Sequence, residues 1–408
     1  MADCTGCSLL CDDIVVEVNG DGHGLKETTN LCRKGHGYYE SLFEDRLTPT
    51  INGEGVDFET VISQAAELLK GADRPLLFGW GNSTLEAQKL GINLAKKLGA
   101  SIDDSSSFGT GILMEKVLRE QLPTCTFDDV RNFADVSIYW GDDPSSSHPR
   151  HMSRFSYFPR GEKRQRGYEE DRTALVIDVR TSPTAVIAAN GFIKIPPEGD
   201  VELIEAFMAA LSGKIPKVND KKKILNLGTT LKKAKYGVVF AGMGLAHSLK
   251  NDVEPFVSLI DKLNQVSSYK VIPTTSEYNS RGFNQALLEE TDHINQVSFK
   301  DGVSSGPEFS LLGSIDDCDA MMVIGSDPVA TLPAAISKKI SKIPLVAIGP
   351  HRNLTTDMAK LTIPSAVSGL ESGGSALRMD GVKVEFDPVI KSDYQSDAEI
   401  LARIMGVL

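Results

Sequence analysis

The chain has 408 residues, of which 41% are hydrophobic and 24% are charged, a composition typical of a globular protein with two or three domains. Its formal charge of −12 argues against nucleic acid as a partner, because an acidic surface repels phosphate. The apolar runs are of strand length, too short to span a membrane, and the N-terminus lacks a secretory-signal pattern. These features predict a cytoplasmic protein.

Cysteines are concentrated near the N-terminus, where C-x2-C-x3-C is followed, 20 residues later, by a fourth cysteine. Disulfides are not expected in a reducing compartment. An iron–sulfur cluster is favoured, because it often uses three closely spaced cysteines and a distant fourth. Structural zinc and a chance grouping remain as alternatives, although zinc ribbons usually pair two C-x2-C knuckles. The candidate ligands are Cys4, Cys7, Cys11 and Cys32.

Lys34 and His36 directly follow the fourth cysteine. A cation beside an anionic cluster raises its reduction potential, and a long side chain can bridge to a neighbouring redox group. A surface turn with an exposed lysine is the alternative interpretation. Cys125 and Cys318 stand alone in the sequence and are interpreted as buried packing residues.

From residue 56 onward, apolar strand-like runs alternate with helical periodicity, which predicts an α/β fold with parallel strands. The stretch 74–82 reads as a strand ending in a glycine turn, and 83–100 reads as the helix that follows it. Two further strands with polar turns are predicted in 134–144 and 173–185.

The second half of the chain repeats these strand–turn units in the same order, in 236–244, 318–328 and 344–359. The repeat predicts two similar doubly wound halves, each with turns at the carboxyl edge of its sheet, where nucleotides bind. The aspartates after the strands could hold a ribose or a guanine. Each glycine taken alone is equally well explained as a tight strand–helix turn.

Six stretches of the chain are distinctive: CTGCSLLCDDI, CRKGH, YWGDDPSSSHPRHMSRFSYFPRG, RGFNQALLEET, IGSDPVATLP and GLESGGSALRMDG. Together they resemble the B subunit of formylmethanofuran dehydrogenase from methanogenic archaea, a molybdopterin oxidoreductase of the dimethyl-sulfoxide-reductase class. The resemblance covers nearly the whole chain, and its central part, HPRHMSR followed by PRG, is specific.

The resemblance implies an α/β fold with a small N-terminal iron–sulfur domain, followed by two doubly wound Rossmann-like domains of the molybdopterin oxidoreductase type. The expected domains are 1–50 for the [4Fe–4S] cluster, 51–107 with 271–408 for the first α/β domain, and 108–270 for the second. The C-terminal β-barrel of the wider class is expected to be supplied by a separate protein of the complex.

The resemblance also implies a function. The B subunit of this family carries one [4Fe–4S] cluster and a tungsten or molybdenum ion held by two molybdopterin guanine dinucleotides. It reduces CO2 to formate, or catalyses the reverse, in the first step of methanogenesis from CO2. The implied partners are an amidohydrolase-type A subunit, the C and β-barrel D subunits, and ferredoxin-type subunits.

Carried over by position, the resemblance assigns the four N-terminal cysteines to the cluster and an electron-relay role to Lys34. The turns that follow the predicted strands are assigned to the dinucleotides. The implied cofactor-binding residues are Lys34, Gly79, Gly81, Asn82, Gly141, Asp143, His148, Asp178, Arg180, Thr181, Gly242, Gly244, Gly325, Asp327 and Gly373.

The sequence departs from the family at the metal site, where a cysteine or selenocysteine, a histidine and a glycine are expected. Here the alignment places Gly109 at the thiolate and Thr110 at the histidine, and a shifted alignment offers Ser107. Asp301 stands where the family has an active-site arginine. A glycine has no side chain with which to bind a metal, and an aspartate reverses the charge where a carboxylate product must form.

Two hypotheses follow from these departures. In the first, the chain is an enzyme whose metal is held by Ser107, water or sulfide. In the second, it is a non-catalytic paralogue that keeps the cluster and serves as an electron conduit or assembly partner. Retention of all four cysteines agrees with both hypotheses.

Overall fold

The structure is a computed structural model that describes residues 2–19, 24–43, 45–168, 170–250 and 252–408. The chain divides into two compact units. Unit 1 comprises Met1–Ser107, Glu277–Arg378 and Lys383–Leu408, and unit 2 comprises Phe108–Ser276 and Met379–Val382. Strands and helices alternate in both units, so the predicted α/β class is confirmed.

The strands are numbered in chain order. They are β1 (Ala2–Cys4), β2 (Cys11–Val18), β3 (Leu25–Thr29), β4 (Thr50–Ile51), β5 (Glu54–Gly55), β6 (Pro75–Gly79), β7 (Ser101–Asp103), β8 (Val136–Trp140), β9 (Thr173–Asp178), β10 (Phe192–Lys194), β11 (Gly237–Ala241), β12 (Tyr269–Pro273), β13 (Val297–Ser298), β14 (Ser304–Ser305), β15 (Ala320–Ile324), β16 (Leu345–Gly349), β17 (Leu361–Pro364), β18 (Gly374–Leu377) and β19 (Lys383–Phe386).

The α-helices are numbered in the same way, and a π-helical turn, Met152–Ser156, lies between α6 and α7. They are α1 (Arg33–Glu40), α2 (Phe58–Lys70), α3 (Leu85–Leu98), α4 (Gly111–Leu118), α5 (Phe127–Phe133), α6 (Pro144–Ser147), α7 (Pro183–Ile187), α8 (Asp200–Leu211), α9 (Lys221–Lys233), α10 (Met243–Leu249), α11 (Glu254–Asn264), α12 (Ser280–Thr291), α13 (Leu311–Ser314), α14 (Pro328–Thr331), α15 (Ala334–Ile340), α16 (Leu354–Asp357) and α17 (Asp397–Val407).

Unit 1 is built on a mixed sheet in the order β14-β13-β7-β6-β15-β16-β17-β4-β5. Its five central strands, β7 to β17 in that order, are parallel, and antiparallel pairs flank them. In chain order the parallel strands read 2-1-3-4-5, an order known from doubly wound sheets. The switch point of such a sheet, where successive connections leave in opposite directions, lies between β6 and β15.

Unit 2 contains a parallel five-stranded sheet in the order β10-β9-β8-β11-β12. In chain order this reads 3-2-1-4-5, the other common arrangement of a doubly wound sheet, with its switch point between β8 and β11. The turns after these two strands are therefore neighbours at one edge.

Local sequence explains where the elements end, as α3 illustrates. The Thr84 side chain accepts a hydrogen bond from the backbone N–H of Ala87, which caps the first turn. Gly99 ends the helix in the left-handed conformation at φ +63°, where a side chain would be strained. On the helix face, Gly91 leaves room for the buried ring of Trp80, which stacks on Phe283.

Each unit has its own hydrophobic core. In unit 1, β6, β15 and β16 are buried along their whole length between helices that include α2, α3 and α17. In unit 2, β8 and β11 are equally buried, and Trp140 packs edge-on against Phe207 and Phe256. Continuous apolar strands of this kind are typical of parallel sheets covered on both faces. Within the described residues, no helix is long and apolar enough to cross a membrane.

Candidate functional site

The N-terminal cysteines lie on a hairpin and on the first helix. Strands β1 and β2 pair antiparallel, which places Cys4 opposite Cys11, and Cys7 lies in the turn between them. The turn is closed by a hydrogen bond from the Leu10 N–H to the Cys7 carbonyl. Cys32 precedes α1, and its Sγ accepts a hydrogen bond from the Gly35 N–H at 3.3 Å.

The four thiols lie within electrostatic range of one another. A Cβ atom on Gly35 would be 3.3 Å from the Sγ of Cys4, so the start of α1 lies against the hairpin. Burial, with a smaller effect from the neighbouring thiols of Cys11 and Cys32, raises the pKa of Cys7 to about 11, although a backbone N–H and Lys34 oppose the shift. The pKa of Cys4 is raised by burial and by the same neighbours.

The four thiols are the donor type that an iron–sulfur cluster requires, although among the described residues they are not arranged around a single metal ion. Four cysteines are present, three of them are buried, and backbone N–H groups of Gly6, Leu9 and Gly35 interact with the sulfurs. Such N–H donors stabilise the negative charge of cluster ligands. Within the described parts of the chain, no three histidine, cysteine, aspartate or glutamate side chains are arranged so that they could hold a metal ion.

Lys34 lies in electrostatic range of two acidic groups. Its ammonium lowers the pKa of the Cys7 thiol and that of the Glu277 carboxyl, against the larger effect of burial. His36, by contrast, forms an exposed pair with Glu40, with 3.2 Å between Nδ1 and Oε2.

At the switch point of unit 1, the turns after β6 and β15 interlock. Gly79 has φ +124°, and a Cβ there would lie 2.1 Å from the Ile324 carbonyl oxygen, so only glycine fits. The Asn82 side chain donates to the Gly325 carbonyl at 2.9 Å. The structure thus brings the predicted residues Gly79, Asn82 and Gly325 together.

The switch point of unit 2 is built in the same manner. Gly141 has φ +61°, and a Cβ there would lie 2.3 Å from the Leu245 N. The Gly244 N–H donates to the Gly141 carbonyl at 3.0 Å, and a Cβ on Gly242 would collide with that same oxygen. Close backbone approach of this kind leaves an edge without side chains, suited to a phosphate-bearing ligand.

A shared geometry links Asp143 in unit 2 with Asp327 in unit 1. Asp143 has φ −126° and ψ 74°, and Asp327 has φ −127° and ψ 71°. Each carboxylate accepts a 2.6 Å hydrogen bond from a threonine hydroxyl, from Thr184 and Thr355 respectively, and also accepts the N–H of that threonine. We call these two arrangements the aspartate–threonine clasps.

Sequence reasoning identified both aspartates and missed both threonines. The signal was available, because Thr184 and Thr355 lie in the repeated stretches 173–185 and 344–359, each six residues after the end of the matching strand. Each threonine hydroxyl also accepts the N–H of a residue just after its aspartate, Ser145 or Val329. Pairing the repeats residue by residue would have revealed them.

The remaining predicted dinucleotide residues lie in several environments. The Arg180 guanidinium is exposed and pairs with Asp143 at 3.3 Å, and its backbone N–H donates to Asp178. Thr181 is exposed. His148 is buried, with Nε2 2.9 Å from the Thr275 carbonyl oxygen and Nδ1 2.8 Å from the Ser147 hydroxyl.

Two glycines complete the predicted set in unit 1. Gly81 lies beneath the Glu277 carboxyl, and Gly373 lies beside the backbone of Phe386 next to the β18–β19 pair. At both positions, the space that a side chain would fill is already occupied, by the Glu277 carboxyl at Gly81 and by the Phe386 carbonyl at Gly373.

In the segment after β7, serine hydroxyls and carboxylates form a network of hydrogen bonds. Three consecutive serines each donate to a different carboxylate: Ser105 to Glu277 at 2.8 Å, Ser106 to Asp104, and Ser107 to Asp103 at 2.9 Å. Asp103 also accepts the backbone N–H of Leu311 at 2.9 Å. Burial raises the pKa of Asp103 to about 7.

The residues aligned with the metal ligand therefore do not fit that role. The Ser107 hydroxyl is bonded to Asp103, and the buried Thr110 hydroxyl donates to the Thr274 carbonyl at 3.1 Å. Gly109 offers no side chain. A tungsten or molybdenum ion finds no thiolate among these positions.

The structure does not bring Asp301 to this segment. Strand β13 runs antiparallel to β7, so the chain after Ser298 extends past the amino end of β7, where the Phe299 N–H donates to the Ala100 carbonyl. Asp301 is exposed there, whereas Ser107 lies after the carboxyl end of β7. The antiparallel direction of the edge strand, which the sequence did not reveal, separates the two.

The fold and the site define an α/β protein with a cysteine-rich N-terminal hairpin and with glycine turns at the switch points of two doubly wound sheets. No protein-family model matches the chain. Two curated proteins, each named as the B subunit of a tungsten-containing formylmethanofuran dehydrogenase 2, are similar to it. The protein from Methanocaldococcus jannaschii is 35% identical, with 95% of this chain and 92% of that protein covered.

The protein from Methanococcus maripaludis is 33% identical, with 98% of this chain and 96% of that protein covered. The chain therefore belongs to the family of formylmethanofuran dehydrogenase B subunits, and the predicted resemblance is confirmed at this level. A chain of the formyltransferase/hydrolase complex from Methylorubrum extorquens, solved with methylofuran, shares the fold. Its TM-score is 0.70 at 20% identity, with 88% of this chain and 98% of that chain covered.

Proposed function

We propose that the chain is the cluster-bearing B subunit of a formylmethanofuran dehydrogenase-type complex. In this proposal Cys4, Cys7, Cys11 and Cys32 hold a [4Fe–4S] cluster, and the two switch points hold two molybdopterin guanine dinucleotides. The partners are the amidohydrolase-type, C-type, β-barrel and ferredoxin-type subunits of that complex. The observation that carries the proposal is the meeting of four thiols beside Lys34, in a family whose curated members are dehydrogenase subunits.

The N-terminal hairpin supplies what a cluster needs. Its thiols are buried beside Leu9 and Leu10, which are 1% and 0% exposed and keep water away from the sulfurs. Backbone N–H groups oriented toward the sulfurs favour the thiolate form. When bound, the cluster supplies one-electron storage, and Lys34 provides the positive charge next to it.

The switch points supply what a guanine dinucleotide needs. Their glycine turns keep side chains away from the carboxyl edge of each sheet, and the clasps fix an aspartate at the end of a strand in each unit. An aspartate in this position is suited to accept hydrogen bonds from a ribose or a guanine.

Two versions of the proposed function differ in whether the complex carries out a reaction at a tungsten or molybdenum ion. In one, the complex reduces CO2 to formate at tungsten or molybdenum, with the metal held by the dinucleotides and a ligand that this chain does not supply. In the other, the chain only conducts electrons or assists assembly. The hydrogen bonds of Ser107 and Thr110 favour the second version, because both hydroxyls are already bonded within the protein.

The test is metal analysis of the complex purified without oxygen, on the parent chain and on cysteine variants. The parent is expected to contain about four irons per chain, and Cys4→Ser and Cys32→Ser are expected to lose them. Cys125→Ser and Cys318→Ser are matched controls, because both residues lie outside the hairpin, and they should keep the iron.

Each result decides a part of the proposal. Zinc without iron would overturn the redox function. Iron with about one tungsten or molybdenum per chain would support the CO2-reducing version, and iron with neither metal would support the electron-conducting version.

A further inference from the structure

The segment 214–235 of unit 2 is strongly basic in an otherwise acidic chain. It contains one acidic residue, Asp220, and eight lysines, which gives it a net charge of +7 and leaves −19 on the rest of the chain. The segment consists of a loop and of helix α9. All eight lysines are exposed: Lys214, Lys217, Lys221, Lys222, Lys223, Lys232, Lys233 and Lys235.

The ammonium groups of this segment are not paired with carboxylates of the protein. None of them forms an ion pair with a carboxylate of the described residues, whereas Lys96, Lys116 and Lys339 elsewhere each form one. Lys223 donates to the Phe192 carbonyl at 2.6 Å, a bond that leaves its positive charge uncompensated. The segment therefore presents concentrated positive charge to the solvent.

The lysines at the start of α9 oppose the dipole of that helix. Lys221, Lys222 and Lys223 form the first turn, where the positive end of the dipole favours acidic residues. That turn contains no acid, and the Asp220 side chain does not cap it, whereas α2, α3, α5 and α8 each have an acidic residue in the first turn. A local rule that is broken without a gain in stability is typical of a functional surface.

The lysines of α9 are arranged around an exposed apolar side chain. Lys221 and Lys222 precede Lys232 and Lys233 by eleven residues, an interval of three turns, so the two pairs share one face of the helix and lie about 16 Å apart. Leu225 lies on the exposed side of α9 between the two pairs and is 37% exposed. Two cationic pairs thus flank an apolar centre.

A groove beside the amino end of α9 adds a second apolar contact. It has a volume of about 410 Å³ and is lined by Glu202 of α8, by residues 215–219 and by Lys221. Ile215, one of the lining residues, is 73% exposed. An apolar centre within a polar rim is the composition of a protein–protein interface. Nucleic acid and anionic membranes fit less well, because the charge of −19 on the rest of the chain repels phosphate.

We propose that this surface docks an acidic subunit of the complex. We call it the basic α9 face, and it consists of Ile215, Lys217, Lys221, Lys222, Leu225, Lys232 and Lys233. Aspartate and glutamate side chains of that subunit pair with the lysines, and one of its apolar side chains fills the groove. Opposite charge guides the two surfaces together and fixes their orientation. This inference rests on the proposed membership in a multi-subunit complex.

The test is carbodiimide cross-linking of the purified complex at one fixed ionic strength, followed by mass spectrometry. This reagent joins an ammonium group directly to a carboxylate that contacts it. The double variant Lys221→Glu/Lys222→Glu reverses the charge of one lysine pair and leaves the other pair, Lys232 and Lys233, to report on the contact. In the parent complex, these two lysines are expected to form cross-links to acidic residues of one other polypeptide.

In the Lys221→Glu/Lys222→Glu variant, the cross-links from the remaining pair are expected to fall about tenfold or more. The melting temperature is expected to stay the same or rise, because acids at the start of α9 agree with the helix dipole. Lys338→Glu/Lys342→Glu is the matched control, since both lysines are exposed, at the end of α15, and the change in net charge is the same. This control should keep the parent level of cross-links.

Three results would overturn the inference. They are cross-links that persist in the Lys221→Glu/Lys222→Glu variant, an intact parent complex in which the pair forms cross-links only to copies of this chain or none at all, and binding of the parent to RNA or to phosphatidylglycerol vesicles that this variant loses. A chain that purifies without other subunits would instead overturn the proposed complex, so the two failures are distinguishable.

Discussion

Asp103 is a carboxyl whose protonation is set by its burial in unit 1. The residue is fully buried, and its two oxygens accept hydrogen bonds from Ser107, Leu311 and Gln296. These bonds lower its pKa, but the cost of burying a charge outweighs them, and the pKa is raised to about 7. The folded protein therefore keeps a proton on Asp103 over a pH range in which the unfolded chain releases it.

This proton makes stability depend on pH. Between the ordinary aspartate pKa, about 3.9, and about 7, the folded state binds more protons than the unfolded state, so the free energy of unfolding falls as pH rises. The linkage relation gives at most roughly 4 kcal/mol over this window. Asp103→Asn is expected to flatten the decline, measured by denaturant unfolding from about pH 4 to about pH 7.5. Ser107→Ala, which keeps the carboxyl, should retain the decline, and an equally steep decline in Asp103→Asn would contradict the assignment.

The residues of the candidate site differed in how well the sequence revealed them. The cysteines were identified by spacing, since few other functions require four thiols in 32 residues. The partner of Ser105 and the Leu311 N–H that bonds to Asp103 were not, because these hydrogen bonds join positions 172 and 208 residues apart. Asp301 was assigned by alignment alone, which carries no information on strand direction.

The sequence predicted the individual strands and the turns that follow them better than it predicted any other level of the structure. The predicted strands in 74–82, 134–144, 173–185, 236–244, 318–328 and 344–359 correspond to β6, β8, β9, β11, β15 and β16, because each is a continuous apolar run ending in a turn. The short strand β7 and the edge strands β13 and β14 carry no such run, and the sequence did not predict them.

The aspartate–threonine clasps allow a prediction about how firmly each turn is held. Thr184→Val removes the hydroxyl that donates to Asp143 and accepts from the Ser145 N–H at 3.1 Å. The Ser145 amide is expected to exchange roughly tenfold or more faster with deuterium, since a hydrogen bond to a charged group is worth ~1.5–3 kcal/mol.

Thr355→Val is the counterpart in unit 1 and is expected to accelerate exchange of the Val329 amide, which donates to that hydroxyl at 3.2 Å. Each variant serves as the control for the other. Unchanged exchange at Ser145 in Thr184→Val would show that the clasp does not hold the turn.

At the scale of the whole molecule, the two halves share their strand–turn units but not their strand order. Unit 1 reads 2-1-3-4-5 across its parallel strands, and unit 2 reads 3-2-1-4-5. The repeat in the sequence predicted the shared units, whereas strand order depends on which edge each new strand joins, a tertiary choice with no local signal. In each unit, the strand order nevertheless brings the glycine turns after two neighbouring strands together at the switch point of that unit.

The proposed function assigns one guanine dinucleotide to each of the two switch points. Nucleotide released by acid from the loaded complex is expected to amount to about two guanosine monophosphates per chain. Asp143→Ala and Asp327→Ala are each expected to reduce the yield to about one, because each removes the aspartate of one clasp. Asp316→Ala, at an exposed pair with Lys339, is the control and should release the parent amount. Equal loss of both nucleotides in one variant would contradict independent sites.

The burial of Thr5 has a consequence for the order of synthesis and cofactor loading. Its hydroxyl donates to the Ser368 carbonyl at 2.7 Å, across 363 residues of chain, and Gly369, at φ +75°, leaves space for its methyl group. The whole five-stranded sheet of unit 2 lies in the continuous stretch 108–276. This sheet can therefore form during synthesis, as soon as residue 276 has left the ribosome. The cysteines leave the ribosome first, yet their surroundings close only after Ser368 has followed. During that interval the thiols are accessible to oxygen and to the factors that would insert the proposed cluster.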